Sequence, residues 1–232
     1  MSAAPFQIGM LIFPGMTSLD FAAPLDVFAR LPNSRVHVLA KTLVPVVTDI
    51  RLHELPTMRM QDAPTLDLLF IGGGPGVNLL MEDEETIRFL AQRAPQARWI
   101  TSVCTGALVL GAAGLLRGYK AATHWTAMEV LPYFGAEPVH RRVVVDRNRI
   151  TGGGVTAGLD FALTVAAALH GTAHAQAMQL AMEYAPAPPF DTGSLATAPA
   201  ELVERVRALA AKSTDARIAA AQRIAHRHGW LR

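Results

Sequence analysis

The sequence predicts an α/β fold in which a mostly parallel sheet is sandwiched by helices in a single domain. Three observations lead there. Strand-like apolar runs alternate with helix-like patterns along most of the chain. Two of the runs, LDLLFIGGG and RWITSVCTG, are almost wholly apolar and stop abruptly at glycine or small polar residues, as strands buried on both faces do. The 232 residues, 51% hydrophobic and 17% charged, can form one sizeable core and are far from a disordered composition.

The elements follow in order. Gln7–Phe13 reads as the first strand, Ser18–Arg30 as a helix and Val36–Ala40 as the next strand. Pro45–Gln61 alternates weakly and suits a small antiparallel excursion or an edge ribbon. Leu66–Ile71 and Trp99–Val103 are the central strands, with helices over Glu84–Arg93 and Thr105–Ala113. A short extended piece at Ala121–Thr123 precedes a helix over Thr126–Phe134. The strands Arg142–Asp146 and Arg149–Thr151 then form a hairpin around Arg147 and Asn148, and a long helix covers Thr156–Leu169. Residues 183–200, EYAPAPPFDTGSLATAPA, carry prolines that exclude a long helix, so they predict an extended arm able to cross a dimer interface. C-terminal helices over 201–228, in two stretches Ala200–Lys212 and Asp215–Arg227, complete the chain.

Composition excludes several classes. The formal net charge is +2, and the excess lies in the last thirty or so residues, where Arg205, Arg207, Lys212, Arg217, Arg223 and Arg227 read as a solvated helix face rather than a nucleic-acid surface. The lone cysteine has no partner for an internal disulfide, which makes the cytoplasm the expected location. The opening MSAAPFQIGMLIF has no Lys or Arg before its apolar stretch and reads as a strand, not a signal peptide. The longest apolar or glycine run, Ala107–Leu116, is about half of the ~20 residues a membrane span needs. Neither a nucleic-acid nor a membrane partner is expected.

Cys104 stands where an apolar strand meets a small-residue helix start, a geometry that exposes a side chain above the sheet and aims N–H groups at it. The expectation is a nucleophile whose pKa is lowered by the helix N-terminus; the alternative is a buried, inert thiol. Asp20 follows the first strand and so belongs to the same sheet edge. It is either a proton carrier for that thiol or a first-turn acid with favourable dipole energy. The loop GGGPGV (72–77) has the form of an oxyanion site, with Gly73 and Gly74 donating, or else is a tight strand-to-helix turn. It is not a dinucleotide fingerprint. TGGGVTAG (151–158) similarly precedes a helix and carries the same two readings. His124 is either a structural histidine, the commoner fate at a strand end, or a base acting from an outer layer, while His53, His140, His170 and His174 lack ligand spacing, so no metal and no cofactor are expected.

With these residues in hand, the chain resembles the DJ-1/PfpI superfamily through SVCTGALVLGAAGLL, IGGGPG, ATHW and TGGGVTAGLDFAL, in that order. Within it the chain is most similar to the isocyanide hydratases: Leu19-Asp20, Thr105 directly after the cysteine, MEDEET and the tail EYAPAPPF. The resemblance implies a flavodoxin-like, class I glutamine amidotransferase-like sheet and a homodimer. It also implies a hydro-lyase that converts an isocyanide into an N-substituted formamide through a covalent thioimidate. Cys104, Asp20 and Thr105 would be catalytic, and Gly73, Gly74 and Val155 would meet the substrate. Thr105 stands where protease-like members carry His, which argues against peptidase activity. Two other readings share the thiol: a sensor domain like the N-terminal halves of AraC-type regulators, and a glyoxalase or deglycase, which tends to pair the thiol with Glu.

Overall fold

A computed structural model describes residues 4–230. The chain opens with β1 (Phe6–Leu11), α1 (Ser18–Phe28) and β2 (Ser34–Ala40). The weakly alternating segment then gives β3 (Val46–Val47) and β4 (His53–Glu54), an antiparallel excursion, and β5 (Met58–Arg59), which pairs with β2 as an edge strand. Next come β6 (Leu68–Ile71), α2 (Val77–Leu80), α3 (Glu84–Arg93), β7 (Trp99–Val103) and α4 (Gly106–Ala112). The chain continues through β8 (Lys120–Ala121), a 3-10 stretch Trp125–Phe134, β9 (Glu137–Pro138) and the hairpin of β10 (Val143–Asp146) and β11 (Arg149–Gly152). Helices α5 (Ala157–His170), α6 (Thr172–Ala181) and α7 (Ala200–Arg227) finish the described residues.

Seven strands form one sheet in the order β10-β11-β7-β6-β1-β2-β5, parallel except for β10. The inner five, β2-β1-β6-β7-β11, have the expected flavodoxin-like order. After β1 the chain builds outward to one side through β2, then returns to the other side through β6. The order therefore reverses between β1 and β6, and the loops leaving adjacent strands in opposite directions open a crevice at their carboxyl ends. Registry lines those ends up: Leu11 pairs with Ile71, Ile71 with Ser102, and Val103 with Gly152. Four loops are thus brought side by side.

The strands bury because their side chains pack on both faces. Phe70 of β6 meets Phe28 of α1 and Phe161 of α5, with ring centroids 6.0 and 5.6 Å away. On the other face every residue of α4 is buried, and Gly111 lets the helix approach Phe134, where a Cβ would lie 2.4 Å from the ring.

Three elements differ from expectation. Thr126–Phe134, expected as a helix, is wound as 3-10 helix from Trp125; it contains Pro132, which has no N–H to donate. The two C-terminal stretches run as one 28-residue helix, α7. Ser213 and Thr214, at the expected break, stay helical and make tertiary hydrogen bonds with Asn78 and the Thr126 carbonyl. Helix α6 has no counterpart in the expected elements, because HGTAHAQAMQL shows little apolar periodicity. Residues 183–200 lack regular structure up to the start of α7 and are largely exposed, Phe190 at 76%.

Candidate active site

The crevice at the reversal point collects one group from each of the four loops. Cys104 follows β7 directly and has φ of +54°. That left-handed conformation costs a non-glycine residue ~1–3 kcal/mol and is retained only where surroundings enforce it. Here its N–H donates to the carbonyls of Gly152 and Gly153, at 3.1 and 2.8 Å, while Thr123 Oγ1 donates to its carbonyl at 2.8 Å. The elbow is therefore pinned on both sides of the Cα.

Asp20 comes from the first turn of α1. Its Oδ2 accepts from Gly73 N–H at 2.8 Å. Its Oδ1 is buried with no hydrogen-bond partner among the described residues, and the Cys104 thiol lies close enough to act on the carboxyl. Thr105 Oγ1 accepts from Gly74 N–H at 3.0 Å. A Cβ on Gly73 would lie 2.5 Å from Thr105 N and 2.9 Å from Asp20 Oδ2, so only glycine lets the loop and the elbow come this close.

Gly73 and Gly74 were expected to donate to a ligand. Their N–H groups are instead engaged by Asp20 and Thr105. The donors that reach the Cys104 sulfur are the backbone N–H groups of Thr105 and Val155. The dual-turn architecture thus separates two tasks, with one glycine loop holding the acid and the hydroxyl and the other offering Val155 to the sulfur.

Burial sets the charge state. Cys104 is 5% exposed and Asp20 1%. Desolvation, reinforced by the negative charge of Asp20, pushes the thiol up to about 12 against the opposing pull of the Val155 and Thr105 N–H groups. This overturns the expectation of a thiol lowered by the helix N-terminus: α4 offers its N–H groups, but removal from water and a neighbouring carboxylate dominate. Desolvation likewise raises Asp20 to about 6, partly offset by its hydrogen bonds from Gly73 and Cys104. At neutral pH the pair therefore rests as carboxylate and thiol, with one proton between them, held on sulfur.

His124 does not join the pair. Its Nδ1 accepts from Thr126 N–H at 3.3 Å and caps the 3-10 stretch, and burial lowers its pKa. His170 and His174 lie together, centroids 5.3 Å apart, away from the crevice on α5 and α6. Among the described residues, no cluster of His, Cys, Asp or Glu is arranged to hold a metal ion.

Arg217 was grouped with the solvated cations of the C-terminus and is in fact buried, 7% exposed, with Nε donating to Asn78 Oδ1 at 3.0 Å. The signal that marks it is periodicity: 217, 220, 221 and 224 share one helical face, and Ala220, Ala221 and Ile224 are all buried.

The DJ-1/PfpI family model matches residues 7–168. The isonitrile hydratase of Pseudomonas putida is 52% identical, over 94% of this chain and 96% of that protein. The HTH-type transcriptional regulator GbdR of Pseudomonas aeruginosa is 30% identical, over 72% of this chain and 47% of its own. Among solved structures, a THiJ/PfpI family protein from Pseudomonas syringae superposes with a TM-score of 0.92 at 46% identity, over 94% of this chain and 90% of the other.

Proposed function

The chain belongs to the DJ-1/PfpI family, and from that premise we propose that it is an isocyanide hydratase, a hydro-lyase that turns R–N≡C and water into R–NH–CHO. The observation that carries this reading is the isolated Asp20–Cys104 pair. It offers one thiol, one carboxylate and a single proton to pass between them, with the second carboxyl oxygen anchored on Gly73. Adding H–S across a terminal carbon requires those parts and no leaving-group acid. The similarity to the hydratase of Pseudomonas putida runs nearly end to end, whereas the regulator shares only about half of its own length with this chain.

In this mechanism Asp20 takes the thiol proton as sulfur attacks the terminal carbon, and returns it to that carbon to give the thioimidate R–N=CH–S. The ionised Asp20 then draws a proton from water as its oxygen adds to the same carbon, and passes that proton to nitrogen. Collapse of the R–NH–CH(OH)–S adduct expels sulfur, which takes the remaining hydroxyl proton through Asp20, and releases the formamide. N–H groups of Thr105 and Val155 stabilise charge on sulfur at each departure; removing one such donor typically costs ~3 kcal/mol of barrier. A linear, unbranched –N≡C head is also the shape of electrophile that a cysteine only 5% exposed admits. Thr105 acts by holding the loop through Gly74 and by presenting its N–H.

Incubation with a simple alkyl isocyanide at pH 7.5, followed by proton NMR, should show the N-alkyl formamide with no added cofactor. Turnover of methylglyoxal in place of the isocyanide would favour the glyoxalase reading instead.

The working unit is proposed as a homodimer in the cytoplasm. Leu43, Val44, Ile50, Leu52 and Leu55 are all more than half exposed on the excursion around β3 and β4, beside an apolar cleft of about 440 Å³ floored by Phe13, Val46 and Leu80. Light scattering should give twice the chain mass at micromolar concentration; a monomer there would remove this part of the reading. No helix among the described residues is long and apolar enough to cross a membrane.

A further inference from the structure

Arg217 lies outside the segment that the family model spans, yet close enough to Cys104 for the two charges to act on each other. The turn of α7 that bears it is fastened on two sides. Asn78, which accepts from Arg217 Nε, also donates to Ser213 O and Oγ at 3.3 Å, and it sits in α2 just beyond the loop of Gly73 and Gly74. Thr214 Oγ1 donates to Thr126 O at 3.3 Å, which ties the same turn to the His124 segment. The His124 ring in turn lies against Gly154, where a Cβ would come within 2.6 Å of Cδ2. The turn therefore bridges the loops after β6 and β11, the two that flank Cys104. The guanidinium charge is felt by His124, and charge on Cys104 is felt by the guanidinium.

This cation is unusual for its surroundings. Arg207, Arg223 and Arg227 of α7 are exposed and ion-paired, Arg223 with Glu82 at 2.6 Å. Arg217 has no Asp or Glu within ion-pair distance among the described residues, and its Nη atoms have no protein hydrogen-bond partner there. Asp20 is not the missing anion, since it makes no ion pair with Arg217 and its Oδ2 is held by Gly73. Arginine stays charged when buried, and a buried charge without a counter-charge is costly. An anion supplied with the ligand resolves that cost, and the free edge of a guanidinium matches a carboxylate in geometry.

We propose that the Nη atoms of Arg217 receive a carboxylate carried by the substrate, so that the preferred isocyanides bear an acidic group on the chain beyond nitrogen. This rests on the isocyanide-hydratase reading and narrows its substrate class. With the terminal carbon at Cys104, the substituent points toward α7, and Asn78 fixes the guanidinium plane through Nε.

The test compares isocyanoacetate, 3-isocyanopropanoate and 4-isocyanobutanoate with their methyl esters on the native chain, then on Arg217→Gln and Arg217→Lys. At least one acid should exceed its ester in kcat/KM by ~10- to 100-fold, the range for a hydrogen-bonded charge pair, with the difference in KM rather than kcat. Arg217→Gln should bring that acid-to-ester ratio near one, and Arg217→Lys should restore part of it. Equal rates for every acid and its ester on the native chain overturn the proposal, whether or not the variants fold. A ratio that survives in folded Arg217→Gln, with both substrates slowed alike, also overturns it and makes Arg217 a stabiliser of the thiolate. Failure to hydrate any of the six compounds, or a neutral alkyl isocyanide, is a different result: it removes the hydratase reading and this inference with it.

Discussion

Cys104→Ala is expected to lower isocyanide hydration by on the order of 10⁴-fold or more, because Cys104 is the one cysteine of the sequence and removal of a covalent nucleophile typically costs that much. The fold should survive. Alanine occupies less space than cysteine at this 5% exposed position, and the backbone contacts that enforce φ of +54° come from Gly152, Gly153 and Thr123, none of which involves the sulfur. Formamide yield by NMR and a thermal melt by circular dichroism check both halves. Residual activity above about one part in a thousand, in a folded variant, would mean that the sulfur is not the attacking atom.

Asp20→Asn should separate stability from activity in opposite directions. Loss of the proton carrier is expected to lower kcat/KM by ~10²- to 10⁴-fold. The folded state raises Asp20 from 3.8 to about 6, so between those values the native chain holds a proton that the unfolded chain has released. Stability from this group is full below 3.8 and is lost as pH rises through about 6. At neutral pH the buried carboxylate thus destabilises the fold by on the order of 2–3 kcal/mol, a value obtained from the same shift. Asparagine carries no charge to desolvate, and its Oδ1 can still accept from Gly73. The melting temperature at pH 7.5 should therefore rise by roughly 5 °C or more, and the gain should shrink toward pH 4. In the native enzyme the rate should climb with pH through about 6 as Asp20 ionises. A variant that keeps its activity would place the carboxyl outside the proton path, and one that melts lower than native at pH 7.5 would contradict the destabilising burial of its charge.

Much of this was legible in the sequence, for reasons that differ by element. Glu84–Arg93 and Trp99–Val103 fall where their patterns place them, because an amphipathic helix with an Asp83 cap and a strand buried on both faces carry strong local signals. The central strands, their abrupt glycine ends and the cysteine between strand and helix locate the sheet edge and put Asp20 and Cys104 along it. What the sequence does not carry is desolvation. Whether a thiol is raised or lowered depends on how completely the neighbouring loops exclude water and on where the carboxyl charge lies, and both follow from tertiary packing. The same holds for Gly73 and Gly74, whose N–H groups were legible as donors while their acceptors, Asp20 Oδ2 and Thr105 Oγ1, arrive from 53 and 31 residues away. Arg217 was misplaced because a charge count treats a helix as all surface; its place on the face of Ala220, Ala221 and Ile224 was available from spacing alone.

The central claim is that sulfur at position 104, protonated at rest and served by the Asp20 carboxylate, adds covalently to an isocyanide. Its most direct measurement is the intact mass of native chain mixed with an alkyl isocyanide and quenched in acid within the first turnover, followed by peptide mapping. The account predicts a gain equal to the whole mass of one isocyanide, confined to the peptide that contains Cys104 and absent from Cys104→Ala. Formamide accumulating at full rate while every quenched sample retains an unmodified Cys104 would contradict it.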